Sequence, residues 1–314
     1  MTHHQHSRSG DRRALPQVEG RILRISGNYA VVRIDEIDHR LALPGRWRRA
    51  FEPEDQPAAG DRVIVETESG SWRLVSILPR RNFFTRKAAG SKPVPQVIAA
   101  NLDLAVIVAA AAEPQSPFGL IDRLLVAARL GGIEPALIVN KADLVTLSVL
   151  SKWIDNYQHA VEEIILASAV DGRGIAQLGE IASQQTILLA GASGVGKSTL
   201  ANLIDPALNL RVGEISDYSG KGRHTTSVAS LLPLGTGGWL VDTPGLRECA
   251  PWGATPETLQ DAFPEIARLG SHCAFRNCRH SHEANCAVQS AAGTPDLPGD
   301  RYGSYLKLLA ELRP

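Results

Sequence analysis

Residues 191–198 read Gly-Ala-Ser-Gly-Val-Gly-Lys-Ser, the pattern G-x-x-x-x-G-K-[ST]. The apolar run Thr186 to Ala190 precedes it, and a helical pattern from Lys197 to Ile204 follows. A strand, a glycine-rich loop and a helix in that order demand an α/β fold, because only a helix N-terminus beside a strand end turns several backbone N–H groups onto one phosphate. In this reading Gly191, Ala192, Ser193, Gly194, Val195 and Gly196 wrap the phosphates. Lys197 neutralises β/γ-phosphate charge, Ser198 ligates Mg²⁺, and Thr199 follows on the helix. The pattern alone does not choose between ATP and GTP.

A second motif makes that choice. Asn140-Lys141-Ala142-Asp143 ends the apolar run Pro135 to Val139. A carboxylate at Asp143 can accept hydrogen bonds from N1–H and the exocyclic amine of guanine. Adenine offers neither there, and a carboxylate left unpaired is costly. The Lys141 stem can pack over the base. Ser168-Ala169 ends the next strand pattern and can offer backbone N–H groups to guanine O6. Downstream, Asp242-Thr243-Pro244-Gly245 has the D-x-x-G form, with Asp242 reaching Mg²⁺ through water and the Gly245 N–H meeting the γ-phosphate. The polar segment Gly220 to Ser227 has the composition of a switch. Within it Thr226 is the expected Mg²⁺ contact, with Thr225 as the alternative.

The order of these motifs is unusual: the base-reading motifs precede the phosphate loop. The same sheet forms if the chain enters at a later strand and residues 175–190 join the old ends, since domain termini commonly lie close together. The chain that leaves Asp242 then runs straight into the C-terminal region. Leu246 stands where many such enzymes carry a water-orienting glutamine, and leucine cannot hydrogen-bond water. Intrinsic hydrolysis is expected to be slow, with His224 of the switch segment as the candidate catalytic group beside Thr226 and Lys197.

Two further regions flank this α/β unit. Residues 16–88 read as short strands broken by turn residues, a small barrel for which the OB fold is the common five-stranded form, with SH3-like barrels giving the same pattern. Residues 1–95 hold 17 Lys+Arg against 11 Asp+Glu, which suggests a polyanionic partner. Trp47, among Arg46, Arg48 and Arg49, reads as a base-stacking aromatic between guanidiniums. Residues 251–314 form a mostly helical module with Cys273, Cys278, His280 and Cys286, a Cys₃His set suited to one structural Zn²⁺; His282 is the rival histidine. Cys249 is expected to be a free thiol. A metal site in a reducing cytoplasm suits these cysteines better than disulfides. No apolar run approaches the roughly 20 residues of a membrane span, and residues 1–15 read as a polar, disordered tail without a signal-peptide core.

The expected architecture is thus multidomain: a barrel at 16–88, a circularly permuted P-loop domain at 89–250 and a zinc module at 251–314. With Ala100-Asn101-Leu102-Asp103, the base motif, the phosphate loop, His224-Thr225-Thr226, Asp242 to Gly245 and the C-x4-C-x-H-x5-C spacing, the chain resembles the RsgA family of bacterial GTPases over nearly its whole length. That resemblance implies GTP hydrolysis stimulated by the small (30S) ribosomal subunit late in its maturation. It also implies 16S rRNA contact through the barrel and zinc module. No DNA or membrane partner is expected, and the default state is a monomer. Some related GTPases bind K⁺ through a phosphate-loop asparagine; Gly194 holds that position here, so K⁺ dependence is not expected.

Overall fold

A computed structural model of the chain describes residues 15–49, 52, 55–68, 70–87, 95–211, 229–243 and 252–312. In the first domain, alternation of apolar and polar residues sets which face of each strand is buried. Ala30, Val32 and Ile34 of strand β2 (Tyr29–Ile34) point inward, as do Val63 and Val65 of β4 (Arg62–Glu68). Strand β1 (Gln17–Ser26) pairs antiparallel with both of them. Strand β3 (Ile37–Ala42) continues from β2, and β5 (Ser71–Ile77) from β4. With β3 lying beside β5, the ring β1-β2-β3-β5-β4 closes around Ile22, Val32, Leu41, Val63 and Leu74. These five strands form the small barrel the sequence suggested.

Trp47 departs from expectation. It sits on a single helical turn, α1 (Gly45–Arg48), and is only 7% exposed, packed into the barrel core. An indole's large apolar area favours the core over solvent, so Trp47 is not a stacking surface.

Strands β6 (Phe83–Lys87) and β7 (Pro95–Ala100) form a separate antiparallel ribbon that straddles the expected boundary between barrel and α/β domain. Next come β8 (Leu104–Ala110), α2 (Phe118–Leu130), β9 (Pro135–Asn140), α3 (Leu147–Tyr157), β10 (Ile164–Leu166) and α4 (Ile175–Ala182). The domain ends with β11 (Thr186–Ala190), α5 (Lys197–Ile204), β12 (Ser230–Pro233) and β13 (Trp239–Asp242). The sheet order is β10-β9-β8-β11-β13-β12, parallel except for β12. Strand β8 is apolar on both faces. Ile107 and Ala109 join the core under α2 and α3, whereas Val106, Val108 and Ala110 join the core with α4 and α5.

The C-terminal module is helical, with α6 (Pro256–Asp261), α7 (Pro264–Gly270), α8 (Ala287–Ala291) and α9 (Gly299–Glu311) around Phe263, Ile266, Val288, Tyr305 and Leu309. Val126 of α2 belongs to that core. Among the described residues, no helix is long and apolar enough to cross a membrane.

Candidate functional site

The phosphate loop joins β11 to α5 at the C-terminal end of the parallel strands, where ligands of open α/β sheets bind. Its backbone requires glycine. At Gly196 φ is +99°, and a Cβ there would lie 2.3 Å from Asn140 Nδ2. That nitrogen donates to the Val195 carbonyl at 2.8 Å. The first residue of the base motif thus fastens directly onto the phosphate loop, although 55 residues separate Asn140 from Val195. The permuted order therefore still brings the two motifs into contact.

Lys197 Nζ donates to the carbonyls of Gly191 at 3.0 Å and Ala192 at 2.6 Å. Burial lowers its pKa to about 8, partly offset by the Asp242 carboxylate. Burial in turn raises the pKa of Asp242 against the pull of Lys197. Lys197, Ser198 and Asp242 line one cleft backed by Leu189, Leu240 and Val241. The cation, the hydroxyl and the carboxylate assigned to phosphate and Mg²⁺ therefore meet.

The residues expected to read the base follow from the phosphate loop's contact with Asn140. Lys141 adopts a left-handed conformation at φ 60° and donates through Nζ to the Glu113 carbonyl, which fixes the direction of its stem. Glu113 lies on the loop after β8, a contact the sequence reading missed because a carbonyl carries no sequence signal. Asp143 stands exposed on a single turn of 3-10 helix, Ala142–Leu144, and the Ala142 N–H ties that turn to Ala167 at 3.0 Å. Ser168 is fully buried and serves its own loop. Its Oγ accepts from Val170 and Asp171 N–H at 3.2 Å each, and its N–H donates to Arg173 at 3.0 Å. The Ala169 N–H has no acceptor among the described residues. Thr199 lies on α5 behind the loop. His224, Thr225, Thr226, Gly245, Leu246 and Cys249 lie outside the described residues.

A second site lies in the C-terminal module. The ligand atoms of Cys273, Cys278, His280 and Cys286 fall within 4.8 Å of one another. The Cys273 and Cys286 sulfurs are 3.8 Å apart, and His280 Nδ1 is 3.5 and 3.4 Å from them. A tetrahedral ion with metal–sulfur bonds of about 2.3 Å needs ligand edges of about 3.8 Å, so the four atoms fit one. Burial, reinforced by the neighbouring Cys286 and Cys273 thiols, pushes the Cys278 thiol up to about 12. Three thiolates so close need a cation between them. Burial also lowers the His280 pKa, which favours the neutral ligating form. His282, the rival, is exposed and pairs with Ser281 Oγ at 2.8 Å.

Known proteins resemble this chain. The RsgA GTPase family profile matches residues 77–252. A protein of Gemmatimonas aurantiaca called small ribosomal subunit biogenesis GTPase RsgA is 38% identical over 274 residues, 86% of this chain and 89% of that one. The Streptomyces avermitilis protein of the same name is 37% identical over 292 residues, 90% of this chain and 78% of its own. Among solved structures, YjeQ from Thermotoga maritima has a TM-score of 0.71 at 30% identity, with 95% of this chain and 99% of that one covered. YloQ, described as a circularly permuted GTPase, has a TM-score of 0.69 at 26% identity and covers 98% of this chain and 99% of its own. With its family profile matched across more than half its length and its motifs in permuted order on one sheet, the chain belongs to the RsgA GTPase family.

Proposed function

We propose that this GTPase acts in late maturation of the small (30S) ribosomal subunit, which stimulates its turnover, and that it works in the cytoplasm as a monomer. The observation that supports this reading is the Asn140–Val195 contact, which joins the N-K-x-D segment to the phosphate loop in a chain that also bears a barrel and a Cys₃His cluster. In this reading Asn140, Lys141, Asp143 and Ala169 hold guanine, with Ser168 shaping their loop. Residues 191–199 wrap the phosphates, and Ser198 with Thr226 binds Mg²⁺. Asp242 and Gly245 sense the γ-phosphate. His224 aids attack by water once a partner orders the switch segment. The four ligands hold one structural Zn²⁺ with no open catalytic position. The barrel and the zinc module contact 16S rRNA. The names of the relatives support the subunit assignment.

The test is GTP turnover by the protein alone, with purified small subunits and with purified large subunits. Stimulation confined to small subunits is expected, and its absence overturns the subunit reading. His224→Ala should abolish the stimulated part only. Stimulated turnover that survives this change removes His224 from catalysis.

A further inference from the structure

The metal-ligand loop of the C-terminal module presents one large apolar side chain to solvent. Phe275 is 51% exposed and stands between Cys273 and Cys278, outside the module's core cluster. A lone exposed aromatic is ordinary on a protein surface; its surroundings here are not. Residues 266–282 include Arg268, Arg276 and Arg279 and no Asp or Glu. Arg268 pairs with Asp296 at 3.3 Å and Glu283 accepts the Arg279 backbone N–H at 2.9 Å, which leaves Arg276 as the cation next to Phe275 in sequence. Arg276 makes no ion pair among the described residues. The loop is also firmly held. The Cys278 N–H bonds the Phe275 carbonyl at 3.3 Å. Tyr302 and Tyr305 of α9 donate to the His280 and Arg279 carbonyls at 2.7 and 3.0 Å. An aromatic face on a fixed loop, with guanidiniums beside it, loses little conformational freedom on binding a flat anionic polymer.

We propose that Phe275 is a base-stacking platform for single-stranded RNA, with Arg276 and Arg279 on the adjoining phosphates. The proposal deepens the RNA-contact reading above: it replaces the buried Trp47 with a solvent-facing aromatic and names an unpaired base as the ligand. Stacking tolerates any base and contributes about 1–3 kcal/mol per base, or about 5- to 150-fold in affinity.

The probe is a short single-stranded RNA carrying one thiouridine, irradiated with the full-length, zinc-loaded protein. Crosslinks are expected on the peptide between Cys273 and Arg276. Titrating their yield against RNA concentration reads this loop's own affinity while the barrel remains intact. Phe275→Ala and Phe275→Leu should weaken it by about 5- to 150-fold, with zinc content unchanged, whereas Phe275→Tyr should retain it. Should Phe275→Ala shed zinc, Arg276→Glu takes its place, with about tenfold weaker crosslinking expected at full zinc content. Wild-type behaviour of Phe275→Leu would mean apolar contact without stacking and would reject the proposal. Crosslinks confined to the barrel would reject it as well. So would a Phe275→Ala protein that binds RNA normally but responds weakly to small subunits, since the loop would then meet a protein. Failure of small subunits to stimulate the wild-type protein sinks the subunit assignment alone and leaves the crosslinking result to be judged separately.

Discussion

Gly196 and Asn140 constrain each other. A Cβ at position 196 would displace the amide that bonds Val195, and its φ of +99° is poorly suited to other residues. Gly196→Ala should therefore weaken GTP at least tenfold in equilibrium titration while the fold persists; unchanged affinity would show that the contact is dispensable. Asp143 gives an independent handle on the base. Asp143→Asn should weaken GTP and favour xanthosine triphosphate, because an amide can donate where xanthine presents an acceptor. Unchanged GTP affinity would remove Asp143 from base reading. For Lys197, a folded-state pKa of about 8 carries a definite sign. The phosphates need the ammonium form, so above pH 8 binding must take up a proton. Affinity should be flat from pH 6 to 7 and fall by up to about tenfold per unit above 8. Calorimetry in buffers of different ionisation enthalpy would read the proton uptake, and its absence at pH 9 would refute the assignment. Without nucleotide, this group makes the fold more stable as pH rises from about 8 toward 10.5, because the unfolded chain binds the extra proton. The phosphate loop, base motif and metal ligands were legible in sequence because each is a short string of residue types at fixed spacing. Trp47 was misread for the opposite reason. Whether an indole between arginines faces solvent or core depends on β-strands 15 to 30 residues away, which close over it.

At the scale of elements, the C-terminal module is attached to α2 through a buried charge cluster that no local pattern announces. Arg301 of α9 is 1% exposed. Its Nε donates to Glu265 of α7 at 2.7 Å and its Nη1 to Asp122 of α2, with Phe263 and Tyr157 rings against the guanidinium. The partners are 36 and 179 positions away, so only the folded chain brings them together. Replacing both acids and the arginine with apolar residues need not destabilise the protein, but deleting one partner strands the others. Arg301→Ala is expected to cost about 3–5 kcal/mol, seen as a lower midpoint for the module in thermal or urea denaturation. A midpoint within a degree of wild type would show that the cluster is not holding the two elements together. The helices and strands themselves were largely readable from periodicity. The β6–β7 ribbon was not, because strands of five and six residues leave a weak pattern.

Across the whole molecule, the two flanking domains grip the GTPase core at different places, and this separates their expected influence on the nucleotide. The motif order suggested that the chain leaving Asp242 couples the γ-phosphate sensor to the zinc module. In three dimensions the module packs on α2, whereas the barrel is the domain in contact with β12 and β13. Arg24 of β1 pairs with Ser230 of β12, the strand that follows the switch segment in sequence. The Arg21 and Arg33 guanidiniums lie 5.0 and 5.2 Å from the Trp239 ring on β13. Trp239 precedes Asp242 by three residues, about 10 Å along a strand. A load on the barrel therefore has a short, stiff route to the Asp242 carboxylate, while the module must act through α2 or the connecting segment. Each cation–π contact contributes about 0.5–2 kcal/mol, so their joint loss should loosen the barrel by about tenfold in local opening. Trp239→Leu keeps an apolar strand residue but removes the ring. Intrinsic turnover and GTP affinity should stay within about twofold of wild type, because no group in the cleft changes. Amide exchange in β1 and β2 should accelerate about tenfold, and stimulation by small subunits should drop several-fold. Faster exchange with full stimulation would mean that the barrel only anchors the protein to its partner. Unchanged exchange would mean that the strand pairing alone holds the barrel in place.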